Sequence, residues 1–192
     1  MNETDFIGID VAKAKLDICL IRGDKNKKLN VSNNAKGYKQ LLKWIKQHTT
    51  NPKVSLEATG YYSDGVAEFL FKKNINVSVI NPFQIKKFSS VLLTRNKNDI
   101  VDARLIASYG QRMDTRAFIP KTKQKKQLRE LSIIRETLSS QCTQFKNQRE
   151  TISSTDAKKL VNTIIKRLEK DINKLDLKMQ SLISDDLALK QI

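Results

Sequence analysis

The chain has 192 residues and a formal charge of +16, with 36 Lys and Arg against 20 Asp and Glu. An apolar fraction of 39% is enough for a real core, and no run of about 18 apolar residues offers a bilayer span. A pI near 9.9 makes a polyanion the first partner to consider, nucleic acid ahead of an anionic membrane surface.

The opening MNETDFIGID has no basic region followed by an apolar one, so it does not read as a signal peptide. Phe6 to Asp10 reads as a buried strand and Leu16 to Ile21 as a second; Gly23 to Asn26 is a turn, and a third strand starts over Lys28 to Val31. Short polar links between these runs fit an antiparallel meander. Tyr38, Leu41, Leu42 and Ile45 recur at helical spacing. Pro52 ends the next connection, Val54 to Ala58 is a strand, Gly65 to Phe71 a helix, and Ile75 to Ile80 a strand closed by Asn81-Pro82. A helix over Phe83 to Val91, a basic loop, and a helix from about Asp99 to Met113 complete the first part. Three meander strands followed by two crossover strands describe a mixed α/β sheet of the ribonuclease-H-like kind, with the first and fourth strands side by side in its centre.

Composition changes near Pro120, after which there is no proline or glycine. This predicts two domains, residues 1–120 and 121–192. In the second, Val161, Ile165, Leu168, Ile172, Leu175, Met179 and Leu182 alternate gaps of four and three, a coiled-coil seam. A preceding helix carries a looser stripe: Leu131, Ile134, Leu138, Cys142, Phe145, Arg149 and Ile152. Ser153 to Asp156 separates the two, with Thr155 or Asp156 as helix cap. Either an antiparallel hairpin or a dimer zipper satisfies the pattern.

Cys19 and Cys142 form no metal or disulfide framework, which points to a reducing cytoplasm. The single His48 leaves little room for histidine general-base chemistry. The carboxylates are more informative. Asp10 ends a buried strand, where an uncompensated charge is costly. It either makes a turn with Val11 to Lys13 or meets a cation. Glu57 ends the fourth strand; in the predicted sheet it lies beside Asp10 at the carboxyl edge, where open α/β sheets bind ligands. Asp99 and Asp102 share a helix face, with Cβ atoms about 5–6 Å apart. They either cap that helix or join the first pair in holding hard divalent ions such as Mg²⁺ or Mn²⁺ over a phosphate.

The segments Gly8-Ile9-Asp10-Val11-Ala12-Lys13, Glu57-Ala58-Thr59-Gly60-Tyr61-Tyr62 and Lys97 to Ala103 running on through Ile106-Ala107 resemble the three motifs of the DEDD transposases. These are insertion-sequence recombinases with a RuvC-like domain, related to the Piv-type DNA invertases. The resemblance covers residues 5–120, and the helices that follow resemble the family's coiled-coil segment. It implies that Asp10, Glu57, Asp99 and Asp102 form a metal-binding catalytic tetrad, that DNA is cleaved and transferred, and that a structured guide RNA takes part. It also implies a homo-oligomer, dimer or tetramer, and a cytoplasmic protein associated with the nucleoid when bound to DNA. The family continues into a C-terminal domain bearing a serine nucleophile, which the sequence to Ile192 does not contain. The expectation is therefore a fragment or truncation that grips nucleic acid without completing strand exchange. Ser63 is close to Glu57 in sequence only.

Between Lys86 and Arg129, twelve basic residues outnumber three acids, which places +9 of the net +16 there. Lys86, Lys87, Arg95, Lys97, Arg104, Arg112, Arg116, Lys121, Lys123, Lys125 and Lys126, together with Lys13, are the expected phosphate contacts. Tyr61, Tyr62, Phe83 and Phe88 either stack on unpaired bases or belong to the core and its rim. Two other functions compete. An actin-like kinase shares the sheet topology but needs a glycine-containing loop where this chain has Val11-Ala12-Lys13. A non-catalytic scaffold that binds RNA or DNA and oligomerises through its helices needs none of the acids.

Overall fold

A computed structural model describes residues 4–23, 25–91 and 99–185; for 99–102 and 185 it describes the backbone alone. Two compact units result, Met1–Pro120 and Lys121–Ile192.

The first unit is built on five strands: β1 (Asp5–Val11), β2 (Lys15–Arg22), β3 (Lys25–Ser32), β4 (Pro52–Glu57) and β5 (Asn76–Ile80). Their order in the sheet is β3-β2-β1-β4-β5. The β1–β2 and β2–β3 pairs are antiparallel, and β1–β4 and β4–β5 are parallel. This is the ribonuclease-H-like arrangement the sequence predicts, with the first and fourth strands adjacent. Strand β3 begins at Lys25, inside the expected turn, and Pro52 opens β4 rather than ending a loop. Proline is tolerated at the first residue of a strand. Lysines 25, 27 and 28 lie exposed along β3, the outer strand, and charge there discourages pairing with another sheet edge.

Strand alternation gives the sheet two unlike faces. On one, Ile7, Ile9, Leu16, Ile18, Leu20, Val54, Leu56 and Val77 form the main core. Two helices cover it: α1 (Ala35–His48) inserts Leu41 and Ile45, and α2 (Tyr61–Phe71) inserts Val66, Ala67 and Leu70. Asn34 caps α1 by accepting from the Lys36 and Gly37 amides, each at 3.0 Å. His48 closes the helix with Nδ1 hydrogen-bonded to the Trp44 carbonyl at 2.8 Å, a structural position.

The other face carries Gly8, Cys19, Ser55 and Ser78, matched in register. It is covered by α3 (Pro82–Val91) and α4 (Asp99–Arg112). There Ile80, Ile85, Phe88, Leu105, Ile106 and Tyr109 form a second cluster. Phe88 packs edge-on to Tyr109, with ring centroids 5.2 Å apart. Of the two readings open for Phe88, base stacking or core, the structure gives the core: the residue is 6% exposed. The chain then passes along β5, where Phe118 N donates to Val77 O at 2.7 Å.

The second unit is an antiparallel helical hairpin, α5 (Lys123–Thr151) and α6 (Thr155–Asp185). Cys142, Val161 and Ile165 are its buried centre, flanked by Phe145, Ile152, Leu168 and Ile172. Lys146 pairs with Glu169 at 2.8 Å and Arg135 with Asp176 at 2.5 Å. Arg149, in the expected stripe, donates instead to Asn162 at 3.2 Å. Ile134, expected in the same stripe, is 49% exposed. The α6 cap is Ser154 rather than Thr155 or Asp156, since its hydroxyl accepts from the Ala157 amide at 3.4 Å.

Candidate functional site

The parallel β1–β4 ladder runs through Ile7↔Val54 and Gly8↔Ser55 to Ile9↔Leu56. Asp10 and Glu57 are the next residue on each strand, so alternation sets both on the face of Gly8 and Ser55. Both are half-buried. Two carboxylates thus stand on neighbouring central strands at the carboxyl edge of the sheet, as the sequence predicts.

Helix α4 comes onto this same face with no gap between backbones. A Cβ built on Gly8 would lie 2.0 Å from the Ala103 carbonyl oxygen and 2.3 Å from the Ala107 amide nitrogen. Further along, a Cβ on Gly110 would lie 2.2 Å from Ser55 Oγ. Glycine at both positions, with Ala103, Ala107 and Cys19 between, lets the helix sit directly on β1 and β4. Asp99 and Asp102 occupy the first turn of α4, immediately before the Ala103–Ala107 contact. Their side chains lie outside the described residues. Among the described residues no three His, Cys, Asp or Glu side chains gather at metal-binding spacing. Of the four acids that the family resemblance singles out, only the side chains of Asp10 and Glu57 are among the described residues.

A fifth acid shares the face. Asp17 is the cross-strand partner of Asp10. It is held by Lys15 Nζ at 2.9 Å and by Asn30 Nδ2, which donates at 2.5 Å. With Cys19, Lys28, Asn30 and Ala103 it lines a surface cleft of about 360 Å³ beside α4. Burial pushes the Cys19 thiol up, against the weaker opposing pull of Lys28 and Arg104. Asp17 could have been found from sequence by fixing the β1–β2 register, because its place in Leu16-Asp17-Ile18-Cys19 puts it opposite Asp10.

The loops after Asp10 and Glu57 are tied together. Asn33 Nδ2 donates to Ala12 O at 2.8 Å and to Tyr62 O at 3.2 Å, while Tyr38 donates its hydroxyl proton to Asn33 Oδ1 at 2.6 Å. Ala58 N donates to Ile80 O at 2.9 Å, locking the β4 exit onto β5. Gly60 turns the chain into α2 at φ 67°, a conformation that favours glycine. Ser63 is 1% exposed and its hydroxyl donates to Gly60 O at 3.0 Å, a structural role in the turn. Two residues past Glu57, the Thr59 hydroxyl is buried without a hydrogen-bond partner among the described residues. Tyr61, Tyr62 and Phe83 are exposed at this edge, and Lys87 Nζ lies 5.3 Å from the Phe83 ring centroid.

Of the expected phosphate contacts in the first unit, Lys13, Lys86, Lys87, Arg104, Arg112 and Arg116 are exposed. Arg95 and Lys97 lie outside the described residues. In the second unit Lys121 and Lys123 are exposed, and Lys125 and Lys126 are half-buried in the first turn of α5. No described helix is long and apolar enough to cross a membrane.

A family model for the DEDD transposases of the IS110 type, described as "Transposase", matches residues 7–152. The chain belongs to the DEDD transposase family. The match takes in both strand-borne acids, the α4 docking face and all of α5. Two pilin gene-inverting proteins, from Moraxella bovis and Moraxella lacunata, are each 30% identical over 187 residues. The alignments cover 96% of this chain and 58% of each relative, so the chain spans little more than half the length of these family relatives. Among solved structures, T. thermophilus RuvC in complex with Holliday junction substrate superposes with TM-score 0.44 at 13% identity, covering 60% of this chain and all of that one. A second Thermus thermophilus RuvC structure gives TM-score 0.42 at 14% identity, covering 59% and 99%. The sheet order β3-β2-β1-β4-β5 and its strand directions carry the ribonuclease-H-like fold.

Proposed function

We propose that this chain provides the carboxylate half of a DNA recombinase active site, with Asp10, Glu57, Asp99 and Asp102 holding Mg²⁺ or Mn²⁺. The observation behind this reading is the register of β1 and β4, which makes Asp10 and Glu57 next-strand neighbours on the face where α4 lies against Gly8. The donor chemistry fits: carboxylate oxygens suit hard divalent ions that keep part of their water, and half-buried acids at a sheet edge remain reachable by a hydrated ion. When bound, such ions activate an attacking oxygen and stabilise a leaving oxygen at phosphorus.

The chain's own residues do the rest. The sheet holds Asp10 and Glu57 side by side, and close backbone contact seats α4 on the same face, at Gly8 through Ala103 and Ala107. Lys13, Lys86, Lys87, Arg104, Arg112 and Arg116, with Arg95 and Lys97, bind phosphates and position the strand. In the second unit Lys121, Lys123, Lys125 and Lys126 serve the same end. A structured RNA is the proposed guide, and the α5–α6 hairpin the proposed coiled-coil oligomerisation element. Such a protein would work in the cytoplasm, at the nucleoid when bound to DNA.

The test is thermal unfolding of the 192-residue chain with Mn²⁺ or Mg²⁺. Wild type should gain stability with either ion, whereas Asp10→Asn and Glu57→Gln should fold normally and lose that gain. Equal metal response in all three proteins overturns the tetrad. A non-catalytic scaffold is the second reading. It is favoured by the exposed Ile133, Leu160 and Leu177 on the hairpin, and it predicts RNA binding and association indifferent to both substitutions.

A further inference from the structure

The carboxyl edge of the sheet presents aromatic surface where a folded monomer gains nothing from it. Tyr61 is 82% exposed and Tyr62 41% exposed, at the first two positions of α2. They meet edge to face, with centroids 6.4 Å apart and planes at 76°. Neither reaches the main core, which α2 enters only from Ser63 and Val66 onward. Gly60 provides no side-chain cap, so the two rings stand at an open helix start four and five residues after Glu57.

Their position is fixed rather than loose. Asn33 grips the Tyr62 carbonyl and the Ala12 carbonyl at once, and is itself held by the Tyr38 hydroxyl. Ala12 is two residues beyond Asp10, and the next residue, Lys13, is exposed. One amide side chain therefore joins the tyrosine pair to the end of the strand that carries Asp10. The result is two exposed π-faces with a cationic side chain following the shared anchor, on a chain of net charge +16.

We propose that Tyr61 and Tyr62 form a stacking platform for unpaired nucleotide bases, with Lys13 meeting the adjoining phosphate and Asn33 positioning the platform beside the carboxylates. This rests on the nucleic-acid reading above and specifies the form of substrate: a single-stranded or locally opened stretch next to the cleavable phosphate. Stacking on aromatic rings tolerates any base, because every base has a π-face. A paired duplex keeps its bases stacked on one another and cannot use the platform.

The experiment is equilibrium binding of the 192-residue chain to a single-stranded oligonucleotide carrying 2-aminopurine, and to a duplex of the same sequence. The two are compared without divalent ions so that the metal site plays no part. Wild type should quench the single-strand fluorophore. Tyr61→Leu/Tyr62→Leu should abolish the quenching and weaken single-strand binding about tenfold, with duplex binding unchanged. Tyr61→Phe/Tyr62→Phe should restore both, which separates stacking from misfolding. Asn33→Ala should reduce quenching while leaving duplex affinity intact. The proposal is overturned if the leucine pair binds single strands as wild type does, or loses single strand and duplex equally. Loss of the Mn²⁺ response in Asp10→Asn is independent of these outcomes, so either reading can fail alone.

Discussion

Asp10 faces Asp17 directly across the β1–β2 ladder, on the surface that α4 covers. Like charges directly opposite in a sheet repel, and Lys15 and Asn30 moderate this by binding Asp17. Asp17 then adds negative field to any cation held at Asp10 without needing to touch it. Asp17→Asn should weaken Mn²⁺ binding several-fold and leave it measurable, whereas Asp10→Asn should remove it. A calorimetric titration in which Asp17→Asn matches wild type shows that its charge does not reach the site.

Gly8 is where the site depends on backbone contact. With atoms only 2.0 and 2.3 Å from the built Cβ, even a methyl group forces α4 away. Gly8→Ala should cost about 1–3 kcal/mol or more, as overpacking does, measured by denaturant unfolding. It should also lose the Mn²⁺ response, although no carboxylate is altered. Full retention of that response would show that the α4 contact does not set the site.

At the opposite end of β1, Asp5 is 4% exposed and takes the Arg22 guanidinium, with Nε 2.7 Å from Oδ1. The hydrogen bond from Arg22 holds the Asp5 carboxyl below its ordinary 3.8, more than burial raises it. The folded state thus binds a proton less readily than the unfolded chain. The resulting stability is complete above the ordinary carboxylate value and disappears as pH falls through the lower folded value. Arg22→Ala should cost about 1.5–3 kcal/mol at neutral pH, with the difference from wild type narrowing in acid. A constant difference down to pH 2 would assign the loss to Arg22 packing instead.

In the hairpin, Ile165 is 5% exposed and packs with Cys142 and Val161. Ile165→Ala should cost the second unit about 2–5 kcal/mol, read as a lower helical melting transition. Leu177→Ala, at a position 67% exposed, should leave that transition unchanged unless the position is covered in an oligomer. Sedimentation at matched concentrations distinguishes the two cases.

Lys86 is exposed on α3, the helix that follows β5. If it contacts phosphate, Lys86→Gln should weaken DNA binding uniformly across sequences. It should also reduce the slope of log affinity against log salt by about 1. An unchanged slope removes Lys86 from the interface.

Most of the fold could be read from sequence because its signals are local. Isoleucine and leucine at every second position identify β1 and β2, and Leu41 and Ile45 set the buried stripe of α1. Asp10 and Glu57 were legible because each interrupts an apolar run at its end. Asp17 was not, because its significance depends on a pairing register that no single segment contains. The start of α2 was hidden for a different reason. Gly60 enters the helix through a positive φ with no capping side chain, and two aromatics open it, so Gly65 looked like the boundary. Phe83 and Phe88 lie on one short helix and differ only in direction: Phe83 is 64% exposed and Phe88 meets Tyr109.

The small residues under α4 give the sheet an uneven tolerance for change. Beneath α1 and α2 the damaging substitutions are those that remove volume, because large aliphatic side chains fill that interior. Beneath α4 the order reverses: Gly8, Ser55 and Gly110 are adjacent to atoms that leave no room for growth. Random mutagenesis scored by folding should therefore find enlarging changes purged at Gly8 and Ser55 on one side of the sheet, and shrinking changes purged at the facing aliphatic positions on the other. The enlargement-intolerant side is the one that bears Asp10 and Glu57.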